Sequence, residues 1–167
     1  YSARRFSQRM AWSLSIMNYR DRYFLFLYAA FVSGIYSQEV WVSWAEKLIK
    51  FSTYPKGWVI EMSYLRGEVN ADPVKESLVR EMNYSWGGMI SLDKIIISFL
   101  HVKYFSSIND KDGFVNDVVG RGVFQDCTFR EMVEIADTER VECLKFVELM
   151  NDDDFLRGNK WIYDQAE

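Results

Sequence analysis

The sequence predicts an all-α protein, a single-domain bundle of about seven to nine amphipathic helices. Three observations predict this class. Apolar residues recur at three- and four-residue steps along most of the chain, residues that cap helix N-termini precede many of these segments, and no alternating pattern with a hairpin turn occurs. The length of 167 residues fits one domain, residues 1–167, with enough chain to bury a core.

The N-terminal half predicts five helices, each with its own start or stop signal. The first has an apolar stripe from Phe6 to Met17, and the second is a buried apolar helix within residues 23–36. The third has Ser37 as its N-cap, and the fourth is a turn with Pro55 at its first position and Gly67 at its end. The fifth has Asp72 as its N-cap and Pro73 at N1.

The C-terminal half continues the helical pattern. Ser91 caps an apolar helix through Phe105, in which residues 95–97 could instead form a buried strand, although the length of the segment favours a helix. Asn109 or Asp110 opens a short helix that ends near Gly120. Thr128 and Glu131 then have the spacing of a capping box for residues 129–150, which form one long helix or two helices divided at residues 137–138.

Two apolar faces are predicted to be buried. The helix after Ser37 places on its face Val40, Trp41, Trp44, Ala45, Leu48 and Ile49. The segment 129–150 places on its face Phe129, Met132, Val133, Ala136, Cys143, Leu144, Val147 and Met150.

A weak internal similarity relates residues 34–39 to 88–93 and residues 51–52 to 105–106, both at an offset of 54 positions. It has two interpretations of equal weight. Either the fold contains stacked helix pairs, as in a fragment of an α-solenoid, or the segments are similar because the same capping residues recur by coincidence.

Charge is distributed unevenly along the chain. The whole sequence has a formal net charge of −4, yet residues 109–167 contain fifteen acidic side chains and seven basic ones. This segment favours a basic partner and disfavours nucleic acid, because phosphates would be repelled. The basic cluster near the N-terminus, which includes Arg20 and Arg22, is more typical of solvated helix faces than of an anion site.

Residues suited to catalysis or metal binding are scarce, so the sequence predicts a protein that is not an enzyme and has neither cofactor nor metal. The single histidine, His101, is predicted to be a core residue hydrogen-bonded to a carbonyl. Cys127 and Cys143 are predicted to be buried free thiols, which indicates a cytoplasmic protein. No apolar run reaches the ~20 residues of a membrane span, so no membrane association is expected.

One stretch of sequence resembles a known class. Residues 45–49, Pro55 and residues 58–63 resemble small helical bacterial immunity proteins encoded beside polymorphic or contact-dependent growth inhibition toxins. The resemblance implies a protein that binds one cognate toxin domain, often a basic nuclease, and occludes its active site. The competing hypothesis is a helical-repeat scaffold or regulatory adaptor that binds a protein or peptide.

Acidic residues of the C-terminal third and one aromatic residue at a helix end are therefore predicted to contact the partner. These are Asp110, Asp112, Asp117, Glu131, Glu134, Glu142, Asp152, Asp153, Asp154 and Trp161.

Overall fold

The computed structural model describes residues 19–67, 70–82 and 92–166. Within these ranges the chain forms nine α-helices, a short 3₁₀ turn at Lys160–Ile162 and no β-strand, which confirms the all-α prediction. The predicted helix from Phe6 to Met17, the Ser91 cap and residues 88–90 of the internal similarity lie outside the described residues. The helices are α1 Tyr19–Ser33, α2 Gln38–Phe51, α3 Gly57–Ser63, α4 Asp72–Glu81, α5 Leu92–Phe105, α6 Lys111–Gly120, α7 Phe129–Asp137, α8 Arg140–Met150 and α9 Asp153–Gly158.

Helix α1 lies at the centre of the larger of two hydrophobic cores. Nine of its residues are buried, because its sequence is apolar on nearly every side. It packs against α4, α5 and α8, which are distant from it in sequence. Stacked helical repeats would place each unit against its sequence neighbours only, so these contacts favour a bundle around α1.

Helix α5 joins the two cores. Ile95 and Phe99 belong to the core around α1, whereas Ile97 and Leu100 pack with α6 and α7 in the smaller core. Residues 95–97 are therefore helical, and the buried-strand alternative is wrong. The smaller core is built from Ile97, Leu100, Phe114, Val118, Met132 and Ala136.

Local capping signals predict the starts of α2, α6 and α7 correctly. Ser37 caps α2 and Asp110 caps α6 through their side chains, and Thr128 with Glu131 forms a complete capping box on α7. Two starts differ. Lys56 is the N-cap of α3 while Pro55 forms a β-bridge with Asp164, and Asp72 is the first residue of α4 because Ala71 occupies the N-cap position.

Residues 129–150 form two helices, and this division moves some residues of the predicted face to the surface. Thr138 is the C-cap of α7, where its hydroxyl donates to the Ile135 carbonyl at 2.7 Å. After the break, α8 buries Cys143 and Phe146 and exposes Leu144. Val40, at the edge of the α2 face, is also exposed. The prediction that Leu144 and Val40 are buried is therefore wrong.

Asp164 fastens the C-terminal segment to the loop between α2 and α3. It is buried, and its carboxylate accepts backbone N–H groups from Ala166 at 2.9 Å, Thr53 at 2.8 Å and Tyr54 at 3.2 Å. Hydrogen bonds from the Ala166 and Thr53 backbone hold the pKa of Asp164 below its usual value.

Acid should weaken the fold through Asp164. A depressed folded pKa gives stability that is present above the unfolded pKa, about 3.9, and is lost as the pH falls through the folded value. Asp164→Asn should therefore be less stable than the parent at neutral pH, and the difference in their free energies of unfolding should narrow towards about pH 2. Urea midpoints measured against pH test this, with the exposed Asp126→Asn as control. A gap independent of pH would contradict the assignment.

The two cysteines are both free but differ in environment. Cys143 is buried in the larger core, where burial raises the pKa of its thiol and the Sγ lies 3.8 Å from the Ile95 carbonyl. Cys127 is only half-buried, in the loop between α6 and α7, so the prediction that both thiols are buried is correct for Cys143 alone.

This difference predicts distinct thiol reactivity. In the native protein a disulfide reagent should modify Cys127 readily and Cys143 only upon unfolding, because a buried, protonated thiol does not attack. Counting modified thiols by mass spectrometry before and after denaturation tests it. Equal native reactivity, or an intramolecular disulfide in protein kept under reducing conditions, would contradict it.

Candidate protein-binding surface

Asp117 is one of several predicted contact residues that have internal structural roles. Its carboxylate accepts hydrogen bonds from the Tyr104 hydroxyl at 2.7 Å and the Arg121 Nε at 2.8 Å. Partial burial raises the pKa of Asp117, but these two bonds, together with the charges of Arg121 and Lys103, outweigh burial and lower it. Arg121 also donates to the Val32 carbonyl at 3.0 Å, at the C-terminal end of α1. Asp117 thus orients the residue that links α6 to α1.

Glu142 is an internal ion-pair residue. Its Oε2 lies 3.0 Å from the Nη2 of Arg22, whose guanidinium lies 5.0 Å from the centre of the Phe26 ring. Arg22 is only 7% exposed, so the prediction that it lies on a solvated face is wrong. Nearby, burial raises the pKa of Glu139. Carboxylates here neutralise a buried cation.

Three other predicted acidic residues cap helices. Asp110 accepts the Gly113 N–H at 2.9 Å, Glu131 accepts the Thr128 N–H at 2.9 Å, and Asp152 accepts the Phe155 N–H at 3.1 Å. These bonds satisfy helix N-termini that would otherwise lack partners. Asp153 differs, since it pairs with Lys47 across the gap to α2 at 2.8 Å.

Trp161 packs against the core around α1. Its ring makes edge contacts with Tyr19 at 5.5 Å and Tyr23 at 5.8 Å, and its Nε1 donates to Asn159 at 3.1 Å. The side chain is half-buried, so its role is mainly to close the end of the core.

The remaining predicted residues are exposed but lie on separate elements. Asp112 is on α6, Glu134 on α7 and Asp154 on α9. The structure thus does not gather all ten predicted residues into one surface. A candidate surface depends on what lies beside the exposed carboxylates.

Beside Glu134 the surface of α8 exposes two aliphatic side chains. Val141 is 62% exposed and Leu144 is 49% exposed, three residues apart and therefore on one helix face. A groove of about 170 Å³ adjoins them between α5 and α8. It is lined chiefly by the apolar atoms of His101, Val102, Phe105, Ser106, Arg140 and Leu144.

His101 forms part of the groove wall. Its ring stacks on Phe105 with centroids 4.6 Å apart, and its Nδ1 lies 3.5 Å from the Arg140 Nη1. Partial burial and the adjacent Arg140 charge lower its pKa. The prediction of a core histidine bonded to a carbonyl is therefore wrong, because the ring lies at the surface beside a cation.

Carboxylates of α7 and α8 lie near this apolar centre in sequence, and one of them pairs with the groove residue Arg140. Asp137 pairs with Arg140 at 3.2 Å, and Glu134, one turn earlier on α7, pairs with Arg130 at 3.5 Å. Glu148 lies on the same face of α8 as Val141 and Leu144 by its spacing. We call the surface formed by the groove and by Glu134, Asp137, Val141, Leu144 and Glu148 the α8 face.

An apolar centre within a charged rim is the usual composition of a protein–protein interface. This apolar centre can be recognised in the sequence once the helix is divided at Thr138. Val141 and Leu144 then fall on the side of α8 opposite the buried Cys143 and Phe146. Among the described residues no cluster of three or more His, Cys, Asp or Glu side chains could hold a metal ion, and no described helix is long and apolar enough to cross a membrane.

Comparison with known proteins adds no relative. No family model matches the chain, and neither a curated protein nor a solved structure is significantly similar to it. Function is therefore argued from the surface of this molecule.

Proposed function

We propose that this protein is a cytoplasmic immunity protein that binds and neutralises one cognate bacterial toxin domain, a basic nuclease, without catalysing a reaction itself. The observation that carries the proposal is the α8 face, where exposed aliphatic side chains and an apolar groove lie among carboxylates in the most acidic part of the chain. A nuclease presents Lys and Arg where phosphate binds, which complements such a face.

The two kinds of residue on the α8 face have different roles in the proposed complex. Glu134, Asp137 and Glu148 outnumber Arg130 and Arg140, the arginines paired with the first two, so the face keeps a net negative charge that attracts a basic partner and raises the association rate. Val141 and Leu144 enter apolar contact and slow dissociation, because buried contacts at the centre of an interface supply most of the binding energy. A complex of ordinary size, about 1,600 Å² of buried surface, would be large enough to cover an active-site cleft.

Co-expression tests the proposal directly. The chain is expressed together with the toxin domain encoded by the gene beside its own, and growth is compared with cells that make the toxin domain alone. We expect protection and a one-to-one complex that elutes together on gel filtration. Absence of a toxin gene, or failure to protect at equal expression, would contradict the proposal. Binding of several unrelated peptides would favour the adaptor hypothesis instead.

Reversal of the rim charges should slow association. Glu134→Lys with Asp137→Lys should reduce the association rate about tenfold at low salt, because the α8 face and its paired arginines change from a net negative to a net positive charge. Both residues are exposed, so the fold should persist. Stopped-flow binding against ionic strength measures the effect, and the salt dependence should be weaker in the variant.

A control variant tests whether the position of the carboxylates, and not net charge alone, sets the association rate. Glu76→Lys changes one exposed carboxylate on α4, away from the α8 face. It should leave the association rate nearly unchanged. An equal loss from Glu76→Lys would show that net charge matters and that the position of the carboxylates does not.

A further inference from the structure

A second depression lies between α2 and the junction of α8 with α9, and it shares no residue with the α8 face. Its volume is about 430 Å³, within the range of sites that bind small ligands or peptide side chains. Its exposed apolar side chain is Val40, its floor is formed by the buried Trp44 and Met150, and Glu39, Lys47 and Asn151 also line it. We call this depression the α2 groove.

The walls of the α2 groove are held in place by bonds within the protein. The Trp44 Nε1 donates to the Met150 carbonyl at 2.9 Å, and Trp44 makes an edge contact with Trp41 at 5.8 Å. The Asn151 Nδ2 donates to the Val147 carbonyl at 2.9 Å. The groove is therefore already formed without a ligand, which reduces the ordering cost of binding.

The charges at the groove leave one carboxylate without a counter-ion. Lys47 is neutralised by Asp153 at 2.8 Å. On the other side of α2, a smaller concavity of about 270 Å³ contains Arg66, which is neutralised by Glu46. Glu39 borders both concavities and has no ion-pair or hydrogen-bond partner among the described residues.

A free carboxylate at the edge of an apolar depression fits a ligand that is apolar and cationic at once. Arg and Lys side chains have this composition, since their methylene stems pack on apolar surface while the charged head remains at the edge. Val40 is exposed although it is aliphatic, so a ligand there would remove apolar surface from water.

We propose that the α2 groove binds a peptide segment in which a basic side chain stands beside an aliphatic one. The aliphatic side chain packs on Val40 above the floor formed by Trp44 and Met150, and the basic head pairs with Glu39. This site is separate from the α8 face and does not depend on the identity of the toxin.

Two blocked peptides test the proposal, acetyl-Leu-Arg-Leu-amide and acetyl-Leu-Gln-Leu-amide, which differ in the charge of the central residue. Each is titrated into the full chain, and binding is followed by the NMR signal of the Trp44 indole N–H, which a Trp44→Phe variant assigns. We expect the arginine peptide to bind with a Kd of roughly 1 mM and the glutamine peptide at least fivefold more weakly.

Two single variants then test whether the Glu39 charge selects the peptide. Glu39→Gln should make the two peptides bind equally, while Glu76→Gln, an exposed carboxylate of α4 outside the α2 groove, should preserve the difference. Both residues are exposed, so the variants should fold, and circular dichroism checks this. Three outcomes would overturn the proposal: no change of the Trp44 signal, equal binding of both peptides to the parent, or a difference that persists in Glu39→Gln.

Discussion

Replacing Glu142 by lysine should lower the free energy of unfolding by about 2–4 kcal/mol. The change removes the carboxylate that lies 3.0 Å from the buried guanidinium of Arg22 and puts a second cation in its place. Loss of one partner from a fully buried pair costs about 3–5 kcal/mol, and the smaller range applies here because the Glu142 side chain is still 26% exposed. Urea denaturation followed by circular dichroism measures the loss.

The matched control for this variant is Glu134→Lys, which reverses an exposed carboxylate of the same acidic segment. It should change stability by less than about 0.5 kcal/mol, since exposed ion pairs contribute little. Equal stability of the two variants would show that the Arg22 pair does not stabilise the fold. Charge reversals meant to probe binding must therefore avoid Glu142, because loss of protection would then report unfolding.

The helix class and the starts of α2, α6 and α7 follow from the sequence because their causes are local. A capping residue and the N–H groups that it accepts lie within three positions of each other, as in Thr128 with Glu131 and in Asp110 with Gly113. Apolar periodicity likewise repeats within one helix, so it predicts helices without any knowledge of their neighbours.

Roles that depend on distant residues could not be predicted in this way. Arg22 and Glu142 are 120 positions apart, and nothing in either neighbourhood of sequence indicates that they meet. Pro55 illustrates the same limit, because its bridge to Asp164 displaces it from the helix start that its residue type favours. An acidic residue therefore looks the same in sequence whether it caps a helix, neutralises a buried cation or faces a partner.

The other wrong predictions concern which side of a helix is buried. Treating residues 129–150 as one face placed Leu144 in the core, whereas the break at Thr138 rotates α8 so that Phe146 is buried in its place. Leu144 is thereby exposed beside Val141, which the predicted face did not include, and the two form the apolar part of the α8 face. The candidate site thus arises where the simplest periodic interpretation fails.

Leu144→Asp should weaken binding of the toxin domain at least thirtyfold while leaving the fold intact. Leu144 borders the groove with His101 and Phe105, so the proposed complex buries its side chain completely. An aspartate there would bury an unpaired charge or hold the partner away, and losses of about 2 kcal/mol or more are typical of such central positions. Because Leu144 is 49% exposed in the free protein, its replacement removes little core packing. Calorimetry with the toxin domain measures the affinity.

The control variant for Leu144→Asp is Tyr64→Asp. Tyr64 is 70% exposed near the end of α3, so this variant also replaces an exposed apolar side chain by a carboxylate. It should bind and protect like the parent, because it lies outside the α8 face. If Leu144→Asp binds normally and Tyr64→Asp does not, the partner contacts α3 and the α8 face is not the interface. If both lose binding with unchanged urea midpoints, the interface extends beyond the α8 face. The dissociation rate distinguishes the role of Leu144 from that of the rim, since loss of a buried apolar contact accelerates dissociation whereas reversal of Glu134 and Asp137 slows association.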